Sequence, residues 1–145
     1  MFWVMASLHV TEYVLKELYG HEVLMLEAYT EQLKQIPLGN VRDTIQRIHD
    51  DEVRHCAAFE RLMGELGIVY DARGKVRPRA WNCGNPSELK EALEWDQHME
   101  EKLEGVYMEQ LGKADITEGA KETINEVMRE THAHSELLKA LLSEM

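Results

Sequence analysis

The chain is short of most residues that would point away from a plain helical domain. It has two cysteines, Cys56 and Cys83, in 145 residues. No Cys-x-x-Cys pair occurs, which excludes a zinc finger or a four-cysteine iron site. So few thiols fit a reducing cytoplasm better than a disulfide framework. There are three prolines, Pro37, Pro78 and Pro86, and all fall between periodic segments. No apolar run approaches the roughly 20 residues that cross a bilayer. The opening stretch from Met1 to Ala6 is apolar but short, with no basic residue before it. It reads as a frayed helix start or an expression remnant, not as a secretory signal. Basic residues are scarce too: 16 Lys and Arg face 27 Asp and Glu, a net charge of −11. That balance argues against nucleic-acid and anionic-membrane partners. It suits either solubility or the handling of cations, and composition does not choose between them. At this length one domain with a real core is expected over residues 1–145.

What is present is helical periodicity. A first stripe runs through Leu15, Leu18, Glu22, Met25, Tyr29, Leu33 and Ile36, predicting a helix over about 9–36. Pro37-Leu38-Gly39 breaks it, and Asn40 is placed to cap a second helix reaching about Leu66. Residues 68–85 lack helical period and carry basic residues from Arg73 to Arg79. They read as a long crossover, with room for a short hairpin. Asn85-Pro86-Ser87-Glu88 opens a third helix with stripe Leu89, Leu93, Asp96, Glu100, Leu103, Tyr107 and Leu111. Asp115 to Glu118 signals a fourth, with stripe Ile124, Val127, Thr131, His134, Leu138, Leu141 and Met145. Four amphipathic helices with one long crossover predict an all-α, antiparallel four-helix bundle.

The centre of interest is the stretch from His49 to His55. Glu52 and His55 lie three residues apart and so share a helix face. Ile45, Ile48, Phe59, Leu62 and Leu66 continue that face. With 21 Glu and 7 His in the chain, about one Glu-x-x-His pair is expected by chance, so the spacing alone carries nothing. The position does. An ionised pair in a core-facing stripe needs compensation, either by mutual hydrogen bonding or by a metal ion.

The chain also repeats itself. Tyr29-Thr30-Glu31-Gln32-Leu33 matches Tyr107-Met108-Glu109-Gln110-Leu111 at an offset of 78. Asp43-Thr44-Ile45 matches Glu122-Thr123-Ile124 at an offset of 79. At these offsets Glu22 falls on Glu100, and His55 on His134. Each half is a helical hairpin with a Glu and a His in equivalent core-facing places. A pseudo-twofold would bring them together at the bundle centre.

This pattern resembles the ferritin-like superfamily, and within it the rubrerythrin and bacterioferritin branch. The resemblance rests on Glu22 with Tyr29, repeated as Glu100 with Tyr107, on Glu52-Val53-Arg54-His55, and on the crossover between hairpins. It implies two metal ions, iron first and manganese or zinc next, held by Glu22, Glu52, His55, Glu100 and His134. Tyr29 and Tyr107 would hydrogen-bond the ligating carboxylates. One position departs: Thr131 stands where the repeat would put a second Glu52. Glu130, one helical turn before His134, is the expected substitute, as a terminal ligand of a weaker second ion.

The function implied is that of a di-metal oxidoreductase, of ferroxidase or peroxidase type, oxidising Fe(II) or reducing dioxygen or hydrogen peroxide. Electrons would come from a separate donor. A metal-free helical-bundle interaction or assembly module stays open as the alternative, and iron storage as a third reading. Trp3, Trp81 and Trp95 lie off the main stripes or in the crossover. On that ground a homodimer or larger assembly is expected.

Overall fold

The structure, a computed structural model, describes residues 2–72, 79–113 and 115–145, with side chains from residue 9. Its elements are α1 (Phe2–Leu33), α2 (Asn40–Glu65), α3 (Pro86–Leu111) and α4 (Glu118–Ser143). The chain forms the expected all-α four-helix bundle. α1 packs chiefly on α2, and α3 on α4; the two hairpins then meet through α2 with α4 and α1 with α3.

Side-chain pairings give the directions. Tyr19 meets Glu60 while Glu22 meets His55, so α2 runs against α1. Tyr29 meets Glu100 and Tyr107 meets Glu22, so α3 also runs against α1. Gln97 with Ser135 and Glu104 with His132 set α4 against α3. His134 with Asp51 and His55 with Glu130 set it against α2. Each of these four pairs is antiparallel, and the diagonal pairs are parallel.

The helix ends follow local chemistry, with some shifts from the sequence expectation. α1 begins at Phe2, well before residue 9, and closes at Leu33. Its last carbonyl, of Leu33, and that of Ile36 in the turn beyond accept from the Arg42 guanidinium at 2.5 and 2.8 Å. Asn40 does not cap α2. Gly39 occupies the cap at φ 144°, which only glycine adopts readily, and Asn40 becomes the first helical residue. α2 ends in a Schellman turn: Ile68 N–H donates to the Met63 carbonyl at 2.8 Å and Gly67 N–H to Gly64 at 3.2 Å. Gly67 supplies the left-handed residue that this turn requires, at φ 71°. Asn85 caps α3 as expected, accepting from Ser87 and Glu88, with Pro86 at the first position. α4 is capped by Thr117 and not by Asp115. Ile116, just before the cap, is buried and fixes where the helix can begin. Met145, expected to end the α4 stripe, lies beyond the helix and is 46% exposed.

The remaining stripe residues are buried or packed on the core. Among the described residues of the crossover there is no strand, and Arg73 to Pro78 lie outside them. Arg79 sits over the Trp81 ring at 5.5 Å, and Trp81 packs on Trp95 with ring centroids 5.4 Å apart. Both tryptophans rest against the core of their own chain. They therefore do not carry the argument for a partner copy, and the Trp3 side chain lies outside the described residues. Among the described residues no helix is long and apolar enough to cross a membrane.

Candidate metal centre

Each helix delivers one level of side chains to the middle of the bundle. α1 gives Glu22, α2 gives Glu52 and His55, α3 gives Glu100 and α4 gives His134; none is more than 2% exposed. These are stripe positions, so the packing that buries the neighbouring Ile48, Phe59, Leu103 and Leu138 buries them too.

Two groups of three donors form. Glu22, Glu52 and His55 make one, and Glu52, Glu100 and His134 the other, with donor atoms within 4.8 Å of one another in each. Glu52 belongs to both. Its Oε2 lies 3.5 Å from His55 Nδ1, and its Oε1 lies 3.2 Å from His134 Nδ1. Glu22 Oε2 is 3.3 Å from His55 Nδ1, and Glu100 Oε1 is 3.9 Å from His134 Nδ1. One carboxylate thus turns an oxygen toward each donor set, as a bridging ligand would.

Hydrogen bonding leaves this centre incomplete. Both Glu52 oxygens, Glu100 Oε2, His134 Nδ1 and Thr131 Oγ1 are buried without a hydrogen-bond partner. The His134–Glu52 contact is close enough for an ion pair but not aligned for a hydrogen bond. Buried orphans of this kind are rare in native proteins and costly. Three carboxylates and two imidazoles suit Fe(II), Mn(II) or Zn(II), and such ions would satisfy the orphaned ligand atoms together. The residues present therefore fit a di-metal centre.

Around the centre the repeat shows again. Tyr29 Oη donates to Glu100 Oε1 at 2.7 Å, and Tyr107 Oη donates to Glu22 Oε1. Burial first, then the surrounding carboxylates, push both phenols well above their ordinary range, so they stay protonated donors. His134 Nε2 donates to Asp51 Oδ2 at 2.8 Å, and His55 Nε2 pairs with Glu130. Arg54, largely exposed, donates to Asp51 and, at 3.0 Å, to Glu130 Oε1. Burial raises both of these acids, but the histidine and Arg54 partners outweigh it and hold them below the usual carboxylate range.

Glu130 is therefore placed against His55 of the opposite hairpin, not beside Glu100 and His134. It belongs to neither donor group. The reason is the 100° step between neighbouring helix positions. Position 131 faces the axis, so position 130 faces α2. Asp51 and Arg54 were given no role from sequence. The signal was available: at offset 79 Asp51 falls on Glu130, an acid just before the core position in each half. His49, His98 and His132 point away from the centre, and His49 and His132 pair with Asp50 and Glu104.

Electrostatics of the metal-free chain follow from this geometry. Each histidine faces carboxylates at both ring nitrogens, so both nitrogens carry protons. Burial lowers the imidazoles, but Glu22 and Glu52 carry His55 up to about 11, and Glu100 and Glu52 carry His134 up to about 10. Burial, with the charges of Glu22 and Glu100, pushes Glu52 well up. Burial also acts to raise Glu22, but the neighbouring Glu52 carboxyl, His55 and the Tyr107 hydroxyl outweigh it and hold that acid to about 2. Protons stand where cations would.

Asp96, one turn before Glu100, is a further buried acid. Its Oδ1 accepts from Gln32 Nε2 at 2.7 Å, while Oδ2 has no partner. Burial first, then Glu100, raises it well above its ordinary 3.8. A raised carboxyl contributes stability that is lost as pH climbs from about 3.8 toward the folded value. Asp96→Asn, which keeps the acceptor for Gln32, is expected to raise the melting temperature by a few degrees at pH 8 and by less at pH 4.5. Thermal scans at the two pH values check this; an equal shift at both would contradict it.

The family model for rubrerythrin matches residues 15–142 of the chain. No curated protein and no solved structure matches it. The match reaches from Leu15 in α1 to Leu142 in α4 and includes both donor groups, and the chain belongs to the rubrerythrin family, within the ferritin-like superfamily.

Proposed function

We propose that the chain is a di-metal oxidoreductase that oxidises Fe(II) or reduces dioxygen or hydrogen peroxide. The observation that carries this reading is Glu52, whose two oxygens face two separate donor sets. Iron is the first candidate and manganese or zinc the next. When bound, a pair of redox-active ions would supply electrons for reduction of dioxygen or peroxide, or take them from Fe(II).

The chain's own residues have distinct tasks. Glu22 and His55 would hold one ion and Glu100 and His134 the other, with Glu52 common to both donor groups. Asp51 and Glu130 accept from the outer nitrogens of the two imidazoles, which fixes each ring with Nδ1 inward. Glu130 is thus a positioning residue for His55 and not a ligand. Tyr29 and Tyr107 fix the carboxylates of Glu100 and Glu22. On loading, Nδ1 of both histidines and the Glu52 carboxyl give up their protons. In this reading a separate donor supplies the electrons. A cytoplasmic setting fits its thiol content.

The competing reading, a metal-free interaction module, draws on the histidine–carboxylate pairs that close without a cation. It leaves both Glu52 oxygens without a hydrogen bond. Elemental analysis of protein purified without chelator discriminates the two. Two iron or manganese ions per chain support the enzyme. Absence of metal after anaerobic loading with Fe(II) supports the module.

A further inference from the structure

The repeat puts Thr131 where the first hairpin has Glu52. Glu52 is the carboxylate common to both donor groups. A duplicated centre with both positions filled would have two such bridges; this one has a single bridge. Thr131 is fully buried, lies one turn before His134 on the same stripe, and its Oγ1 has no hydrogen-bond partner. A hydroxyl buried to that extent is costly unless something accepts from it. Its side chain is also too short to reach a cation that a glutamate there would bind.

Charge points the same way. Glu22, Glu52 and Glu100 bring three negative charges against the four positive charges of two divalent ions. Asp51, Glu130 and Arg54 add one net negative charge from outside. Those three side chains are 23%, 32% and 58% exposed, so water weakens what they contribute inside.

Resting on the di-metal reading, we propose that the centre takes up a small monocarboxylate from solution as its second bridge. Its oxygens would stand in for the carboxylate that the repeat would place at position 131, and one would accept from the Thr131 hydroxyl. The threonine is then a ligand-selecting residue: it exchanges a fixed protein bridge for a replaceable one. No bond is made or broken in the anion.

The test uses Co(II)-loaded protein and sodium formate, read by calorimetry and by visible absorption of the cobalt. The full-length chain carrying two Co(II) is expected to bind one formate, with a change in the cobalt bands, while the metal-free chain binds none. Thr131→Glu should still hold two Co(II) and bind formate at least tenfold more weakly, because the protein now provides the bridge. Thr131→Val should hold two Co(II) and bind formate about three- to tenfold more weakly, the loss of one hydrogen bond. Formate that fails to bind the loaded chain overturns the proposal. So does formate binding that neither substitution changes. Failure of the unaltered chain to take up Co(II) overturns the di-metal reading itself, and this proposal with it.

Discussion

Glu52→Ala is expected to release both metal ions, taking the metal content from two per chain to none. No other single ligand has this reach, because Glu52 alone belongs to both donor groups. Glu22→Ala and Glu100→Ala should each weaken one ion most and leave the other measurable. Loss of metal must be separated from loss of fold. Burial and the charges of Glu22 and Glu100 push Glu52 up, toward its neutral form, in the metal-free chain. Glu52→Gln copies that neutral form with nearly the same volume. It should therefore melt within about 1 kcal/mol of the parent when metal is absent, yet bind no metal. Elemental analysis with parallel melts gives the answer. A Glu52→Gln protein that retains one tightly bound ion would end the bridging assignment.

The second large effect is an alkaline weakness of the metal-free chain. His55 and His134 have folded values of about 11 and 10, above the ordinary 6.5. Groups raised in this way stabilise fully below pH 6.5 and lose that contribution as pH rises toward 10 and 11. Glu52, also raised, acts in the same sense from its ordinary 4.5 upward. Glu22, held to about 2, contributes above pH 4.5 and fades only as pH falls toward 2. Between pH 6.5 and 9.5 all the drift is therefore downward. A fall in melting temperature of about 5–10 °C is expected across that window with chelator present. Metal loading should reverse the trend, because ligands must shed protons to bind and alkaline pH helps them. Calorimetry at pH 6.5, 8 and 9.5, with and without metal, is the check. A metal-free melting temperature that stays level across the series would contradict the proton-filled centre.

Much of the architecture was legible because it is written in periodicity. Four stripes broken by Pro37, Gly67 and Gly112 leave little freedom in how the helices pack. The donors could be named because a polar residue inside an apolar stripe stands out, and because the two halves carry them at one offset. Residues off the stripe were harder. Asp51 and Glu130 sit one step around the helix, so their partners depend on which helix packs alongside. Only the α2–α4 contact shows that each reaches the histidine of the other hairpin. Capping failed at Asn40 and Asp115 for a different reason. The turn before each helix is set by Gly39 and by the buried Ile116, and these override side-chain preference. Trp81 and Trp95 misled because their contact is long-range: each looks exposed in sequence until the crossover folds back and stacks one on the other.

The antiparallel arrangement of the four closely packed pairs has a further consequence for the centre. Backbone dipoles of neighbouring helices oppose one another, and the strong field of each lies within its first and last turns. Glu22, Glu52, Glu100 and His134 all sit near mid-helix, two turns or more from any terminus. The backbone therefore contributes little net potential where the ions would bind. Cation preference and reduction potential are left to the side chains alone. The bundle acts as a nearly field-neutral frame, and single substitutions at the centre can tune its chemistry without refolding around them.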